Sequence, residues 1–485
     1  MIEVIFNTFA ALVHKKLSMI SLFKQTVLIL VLIFLSNTIY AKEGYSIKVN
    51  IKGYQDSTLL LTSYFGEKIK LVDTAYSIES GLFTFNGNPK LAGGIYMVVS
   101  AKKKKLFEFI IPEDQDFSFN TDTINYIKNM NVKGSKENEV FFEYLLNNEK
   151  FYQENKKISG VIDSLTSLSL ETTDIKAVRD SLSKRTIDYK LEVIEENSGL
   201  FVSALLNSMR DVEVPDSVTN STDSTLAFKF YKDHYWDNLP LNDSCLLRTP
   251  VYMRKVKQYF TQAVVFSPDS VIVAIDQVIS KARPSKEVVG YLIWYFISEY
   301  QNPKFMGFDK VFVHLVDQYF SKEHITNTTP SILTSLQDRA DKLRPILLDM
   351  PAPDLQLVDS LGALVSFRVI QNTYTILFFW DSDCGICGKE VVELQKTYSN
   401  PDYDIEVYAI NVNSDLDKWK KAVIEKEVPG INVNGTRSAT KDFHDLYDIY
   451  GTPVIYVLDK DKHIIAKRIG ADKLEEFIDN YEKRN

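Results

Sequence analysis

Residues 374–387 read YTILFFWDSDCGIC. The run Tyr374 to Trp380 is apolar almost throughout, the pattern of a strand buried on both faces of a sheet. Asp381-Ser382-Asp383 interrupts it, and a helical stretch is predicted from about Gly385. Cys384 and Cys387 therefore stand three apart where a strand gives way to a helix. At that place two cysteines can close a disulfide, and the unpaired backbone N–H groups of the helix start stabilise a thiolate on the first. The same spacing fits a static disulfide or half of a zinc site. Zinc needs two more ligands, and the remaining cysteine, Cys245, lies in another predicted domain. A CxxC beside alternating strands and helices is instead the redox signature.

The surroundings of the motif, residues 351–485, read as an α/β domain. After PAPDLQLVD and the turn at Leu361-Gly362 come the strand Tyr374 to Trp380, the helix from Gly385, a strand over 405–412 and a helix over 415–426. Strands over 454–458 and 463–469 then flank the turn Asp459-Lys460-Asp461, and a helix over 472–481 follows. Tyr450-Gly451-Thr452-Pro453-Val454 precedes the first of that last pair. Proline is tolerated at the first position of a strand, and in cis it would turn the chain and expose the peptide groups of Thr452.

On CGIC after a strand ending in FFW, GTPVIYVLD downstream, the charged hairpin and the final helix, the segment resembles the thioredoxin superfamily. The lead-in PAPDLQLVD and the pair Lys389-Glu390 narrow the resemblance to TlpA/ResA-like extracytoplasmic thiol–disulfide oxidoreductases. The resemblance implies that Cys384 attacks, Cys387 resolves, and Pro453 is a cis-proline facing their redox-active disulfide. It implies that Thr452 offers its backbone to an extended substrate segment, with Trp380 on the same substrate-binding side, and that no cofactor is required. Glu390 lies one turn below Cys387 on the same helical face, and is expected to accept the proton that Cys387 loses. Three positions depart from the thioredoxin pattern: Asp383 before the first cysteine, Ile386 inside the motif, and Phe378 where cytoplasmic thioredoxins bury an Asp. Asp383 is expected to oppose the thiolate on Cys384. A peroxiredoxin-like peroxidase shares the fold, but it wants Thr or Ser three positions before its attacking cysteine, where Asp381 stands.

Two further regions precede this domain. Tyr45, Ile47, Val49 and Ile51 alternate with Ser46, Lys48, Asn50 and Lys52, and similar short runs follow at 59–62, 69–72, 82–85, 95–99, 106–111 and 117–119. Residues 42–122 are thus predicted to form a small β-sandwich. Lys102 to Lys105 read as a solvated hairpin tip. The period then becomes helical over 125–345, as in Val140, Phe141, Tyr144 and Leu145, or Val311, Phe312 and Leu315. Residues 214–225, VPDSVTNSTDST, read as an exposed loop. Val288 to Ile297 is too short to span a bilayer and reads as a buried helix. The fold class is therefore multidomain: N-terminal β-sandwich, central all-α region, C-terminal α/β thioredoxin fold. The first two regions resemble the uncharacterised β-rich and helical domains that precede thioredoxins in bacterial envelope proteins.

At the other end of the chain, residues 26–35 read TVLILVLIFL and are followed by small and polar residues up to Ala41. Residues 1–41 are expected to be a cleaved signal peptide, the alternative being an N-terminal membrane anchor. The protein is then periplasmic or otherwise in the cell envelope. With 485 residues, about three domains are expected. A formal charge of −8 excludes a surface built to neutralise nucleic-acid phosphates. Scattered histidines give no metal-ligand spacing. The expected partners are disulfide-containing envelope proteins and a membrane or periplasmic electron donor, with the protein working more as reductase than oxidant. A function of another class, an envelope binding or scaffold protein with secondary redox activity, is the alternative.

Overall fold

The computed structural model describes residues 44–320 and 328–484. The expected signal peptide or anchor, residues 1–41, lies outside them. Among the described residues no helix is long and apolar enough to cross a membrane. The described residues divide into two compact units, 44–210 with 245–253, and 211–244 with 254–320 and 328–484.

In the first unit the alternating runs become strands β1 (Tyr45–Lys52), β2 (Thr58–Phe65), β3 (Lys68–Tyr76), β4 (Leu82–Gly87), β5 (Gly94–Ser100), β6 (Lys105–Ile111), β7 (Asp116–Asp122) and β8 (Asn131–Lys133). They form two four-stranded sheets, β4-β1-β7-β8 and β3-β2-β5-β6. Alternation sends Ile47, Val49 and Ile51 of β1 and Leu59 and Leu61 of β2 into one core with Phe107, Phe109 and Phe119, which is what makes the pair a sandwich. The short β8 was not visible in the pattern because its three residues leave no period to read. The long helix Lys136–Ser167 is tied to this core through the fully buried Asn138, which accepts from Ile110 N and donates to Ile110 O, each at 2.8 Å. Helices Thr173–Glu196 and Phe201–Ser208 belong to the same unit.

The second unit combines helices Pro268–Ala282, Lys286–Tyr300, Asp309–Tyr319 and Pro330–Leu343 with a seven-stranded sheet. Ser267, Ser285 and Thr329 cap three of these helices by accepting from the backbone N–H three residues on, and Pro268 and Pro330 occupy first-turn positions that need no donor. Val288 to Ile297 lies within one of them, with Leu292, Ile293, Phe296 and Ile297 buried. The predicted loop 214–225 is instead partly helical: Asp216–Thr219 makes one exposed turn, started by Pro215, and a further helix begins at Thr225.

The sheet is ordered β10-β9-β13-β12-β11-β14-β15, from β9 (Gln356–Asp359), β10 (Leu364–Ser366), β11 (Tyr374–Trp380), β12 (Ile405–Asn411), β13 (Ile431–Ser438), β14 (Val454–Leu458) and β15 (Ile464–Lys467). Strand β11 is central and buried at all seven positions. It runs parallel to β12 and antiparallel to β14, with Phe379 opposite Val454. That register brings the residues before Val454 to the edge of the sheet where β11 ends.

Candidate functional site

Cys384 is the N-cap of helix Gly385–Tyr398, in extended backbone conformation, and its Sγ accepts from Cys387 N at 3.1 Å. The two cysteines form a disulfide with Cα atoms 5.2 Å apart. Their environments differ. Cys387 is fully buried against Phe378, Trp380, Val391 and Leu394, whereas Cys384 is half-buried and is followed by Gly385 and Ile386 at the surface, the latter 64% exposed. An incoming group can therefore reach Cys384 but not Cys387. The Thr452–Pro453 peptide bond is cis, and Thr452 O lies 3.7 Å from Cys384 Sγ. Two segments 68 residues apart in sequence thus meet at one sulfur.

Trp380, expected on the substrate-binding side, is fully buried and stacked on Phe378, with ring centroids 6.4 Å apart and planes 4° from parallel. As the last residue of a central strand it faces the core beneath the disulfide, so it supports the site from below and cannot touch a substrate. Phe378 is likewise core. Glu390 is half-buried on the helix, and its Oε2 accepts from Ala471 N at 2.7 Å. This contact with the turn before the last helix could not be inferred from the local helical spacing.

Asp383 is exposed, but its carboxylate is paired with Lys418 and accepts from Asn413 Nδ2 at 3.0 Å. The hydrogen bond from the Lys418 ammonium holds it below the usual carboxylate range. The charge expected to oppose the Cys384 thiolate is thus largely balanced by its neighbour. Because β11 and β12 are parallel, the helices that follow them start at the same edge, which is why Lys418, in the first turn of Leu416–Glu425, reaches the loop before Cys384. Asn413 and Lys418 were missed in the sequence, where they read as ordinary polar residues. Asp381 Oδ1 accepts from Asp383 N at 2.9 Å and Asn413 Nδ2 at 3.0 Å, and Asp381 O accepts from Cys384 N at 3.1 Å, so this side chain shapes the loop.

Among the described residues no group of three His, Cys, Asp or Glu side chains is placed to hold a metal. A cavity of about 230 Å³ in this unit is lined by Asp309, Arg339, Asp448 and Lys467 among others, and by neither cysteine. Of the two cysteines it is Cys384, half-buried, that comes to the surface, beside the exposed Gly385 and Ile386.

A dithiol pair at the N-terminus of the helix after the central strand of such a sheet, facing a cis-proline loop, defines a thioredoxin-fold redox protein. Residues 348–467 match the AhpC/TSA family, and the preceding regions match two domains of unknown function, DUF5106 over 172–338 and DUF4369 over 45–141. Solved structures that are similar include a domain of a possible thiol-disulfide isomerase from Cytophaga hutchinsonii, 44% identical, covering 29% of this chain and 96% of its own, with a TM-score of 0.27. The thioredoxin domain of a thiol-disulfide oxidoreductase from Bacteroides vulgatus is 27% identical and covers 28% of this chain and 96% of its own, with a TM-score of 0.25. A thioredoxin-like protein from Bacteroides caccae is 17% identical over 56% of this chain and 98% of its own, with a TM-score of 0.44. A search of curated proteins finds no match. The chain belongs to the thioredoxin superfamily of thiol–disulfide oxidoreductases, with its redox domain in the region that includes residues 348–467.

Proposed function

We propose that the protein exchanges disulfides with proteins of the cell envelope, working chiefly as a reductase, with Cys384 as the attacking and Cys387 as the resolving thiol. The carrying observation is the asymmetry of the pair: one sulfur is half-buried at a helix N-terminus beside Thr452 O, the other fully buried in the core. In the reduced protein the Cys384 thiolate attacks one sulfur of a substrate disulfide, forming a mixed disulfide and releasing the first substrate thiolate. Cys387 then gives up its proton and attacks Cys384 Sγ, which expels the second substrate thiolate. Two electrons pass to the substrate and the Cys384–Cys387 disulfide remains, to be reduced again by a membrane or periplasmic dithiol donor. Glu390, one turn along the helix from Cys387, takes that proton; a carboxylate bonded through Oε2 still has a second oxygen with which to do so. Thr452 pairs its backbone with the extended substrate chain. The apolar run at residues 26–35 supports placement outside the cytoplasm, and the likeness to TlpA/ResA-like proteins supports the reductive direction.

Cys387→Ser removes the resolving step, so mixed disulfides should accumulate on Cys384 and be isolable from the envelope fraction. Thiol trapping in cells should find the wild-type pair mostly reduced. A pair found mostly oxidised would reverse the proposed direction, and a purified protein without dithiol-dependent disulfide reductase activity and without trapped partners would remove the reading.

A further inference from the structure

Helix Pro330–Leu343 lies outside the AhpC/TSA match at 348–467, yet it holds the segment that leads to Thr452. All the contacts involved lie within the second unit. Arg339 and Lys342 stand three apart, hence on one helical face. Arg339 pairs with Asp448, whose side chain is 1% exposed and also pairs with Arg468 at 3.0 Å. Lys342 Nζ pairs with Asp445 Oδ1 at 2.6 Å and donates to Tyr450 OH at 3.2 Å. Asp448 ends the short helix Phe443–Tyr447 with φ of 55°, a left-handed conformation that Asp tolerates better than most residues. Four residues further on is Thr452. Ile449 is buried, but Tyr450 is 68% exposed and Gly451 is exposed, so the cationic helix face supplies the contact to Tyr450 from outside the thioredoxin sheet.

We propose that Arg339 and Lys342 are positioning residues for disulfide exchange with protein substrates: they fix residues 445–450 so that Thr452 is presented in register beside Cys384. This rests on the reading that Thr452 receives an extended substrate chain. A small aromatic disulfide needs only access to the sulfur, whereas a polypeptide must also pair with the Thr452 backbone, so the clamp acts on the second kind of substrate. The helical region then has a share in redox function rather than being only an attached domain.

The test compares insulin, a protein disulfide, with 5,5′-dithiobis(2-nitrobenzoate), a small one, in the full chain. Lys342→Met should raise KM for insulin by roughly threefold, the fold-change that corresponds to losing a partly exposed ion pair. Its kcat for insulin, its turnover of the small disulfide and the redox potential of the Cys384–Cys387 pair should stay as in wild type. Arg339→Gln should act in the same direction, and Lys342→Arg, which keeps the charge, should restore the insulin KM. Should Arg339→Gln fail to fold because Asp448 is buried, Lys342→Met carries the test alone, its partner Asp445 being 62% exposed. An unchanged insulin KM, or equal losses on both substrates, would overturn the clamp. A wild-type protein that reduces the small disulfide but not insulin would instead overturn the reading on which it rests.

Discussion

Replacing Glu390 by Ala and by Gln separates two tasks that fall on one carboxylate. Its Oε2 accepts from Ala471 N at 2.7 Å, and Ala471, 2% exposed, opens the single turn Ala471–Lys473 before helix Leu474–Glu482. Leu474 and Ile478 of that helix belong to the same core as Cys387 and Trp380. A hydrogen bond from a buried amide to a charged acceptor contributes about 1.5–3 kcal/mol, and its removal leaves the donor orphaned. Glu390→Ala should therefore cost roughly 2–3 kcal/mol of stability. Glu390→Gln keeps an acceptor oxygen and should cost about 1 kcal/mol or less. Urea unfolding followed by tryptophan fluorescence suits the measurement, since all four tryptophans (Trp236, Trp294, Trp380 and Trp419) lie in the second unit. The kinetic arm uses Glu390→Gln, which preserves the fold but cannot take a proton. Rapid mixing across pH should show slower resolution of the mixed disulfide with the first attack by Cys384 nearly unchanged. Equal stability of Ala and wild type would refute the structural part of the reasoning. Equal slowing of both steps, or of neither, would refute the part that concerns the proton.

Two other perturbations follow from charges around the sheet. Lys418→Met should raise the Cys384 pKa, because Asp383 then faces the thiolate without its partner, and Asp383→Asn should lower it, because the Lys418 ammonium is then unopposed; thiolate absorbance titration checks both, and shifts of the same sign, or none in either variant, would show that the pair does not act on the thiolate. Since Asp383 is held below its ordinary range, the contribution of its pair is present above the unfolded carboxylate value and is lost as pH falls through the depressed one, so the effect of Lys418→Met on Cys384 belongs to neutral pH. Lys467, 6% exposed, pairs with Asp309, side chain 8% exposed, and donates to Ile346 O at 2.5 Å. Lys467→Met should cost about 3–5 kcal/mol by leaving that carboxylate buried alone. The double variant Asp309→Leu/Lys467→Met should recover much of the loss in urea unfolding, and a double variant as unstable as the single would show that the charge was not the cause.

Residue order alone marks the elements whose period is long and clean. Alternation marked β1 to β7, seven buried positions marked β11, and the CxxC that follows placed the redox pair at a helix start, because strand burial, helix capping and thiolate stabilisation are all local consequences of residue order. It did not mark β13, whose INVNGTRS is polar and carries Gly435, nor the separation of the helical region between two units. A strand of that composition is recognisable only once β12 and β9 lie on either side of it. Local reading also misplaced side chains at the site. Trp380 is an aromatic at the end of a strand in either case, and only the packed sheet sends it inward against Phe378. Asp383 next to Cys384 looks like an unbalanced charge until parallel β11 and β12 bring up Lys418, 35 residues later. Glu390 and Ala471, Thr452 and Cys384, and Lys342 and Tyr450 are likewise joined across long stretches of chain. Residue types and spacing decide which chemistry a segment can offer; what that chemistry is tuned and positioned by depends on distances between remote segments, which exist only after the sheet has been ordered and its helices docked.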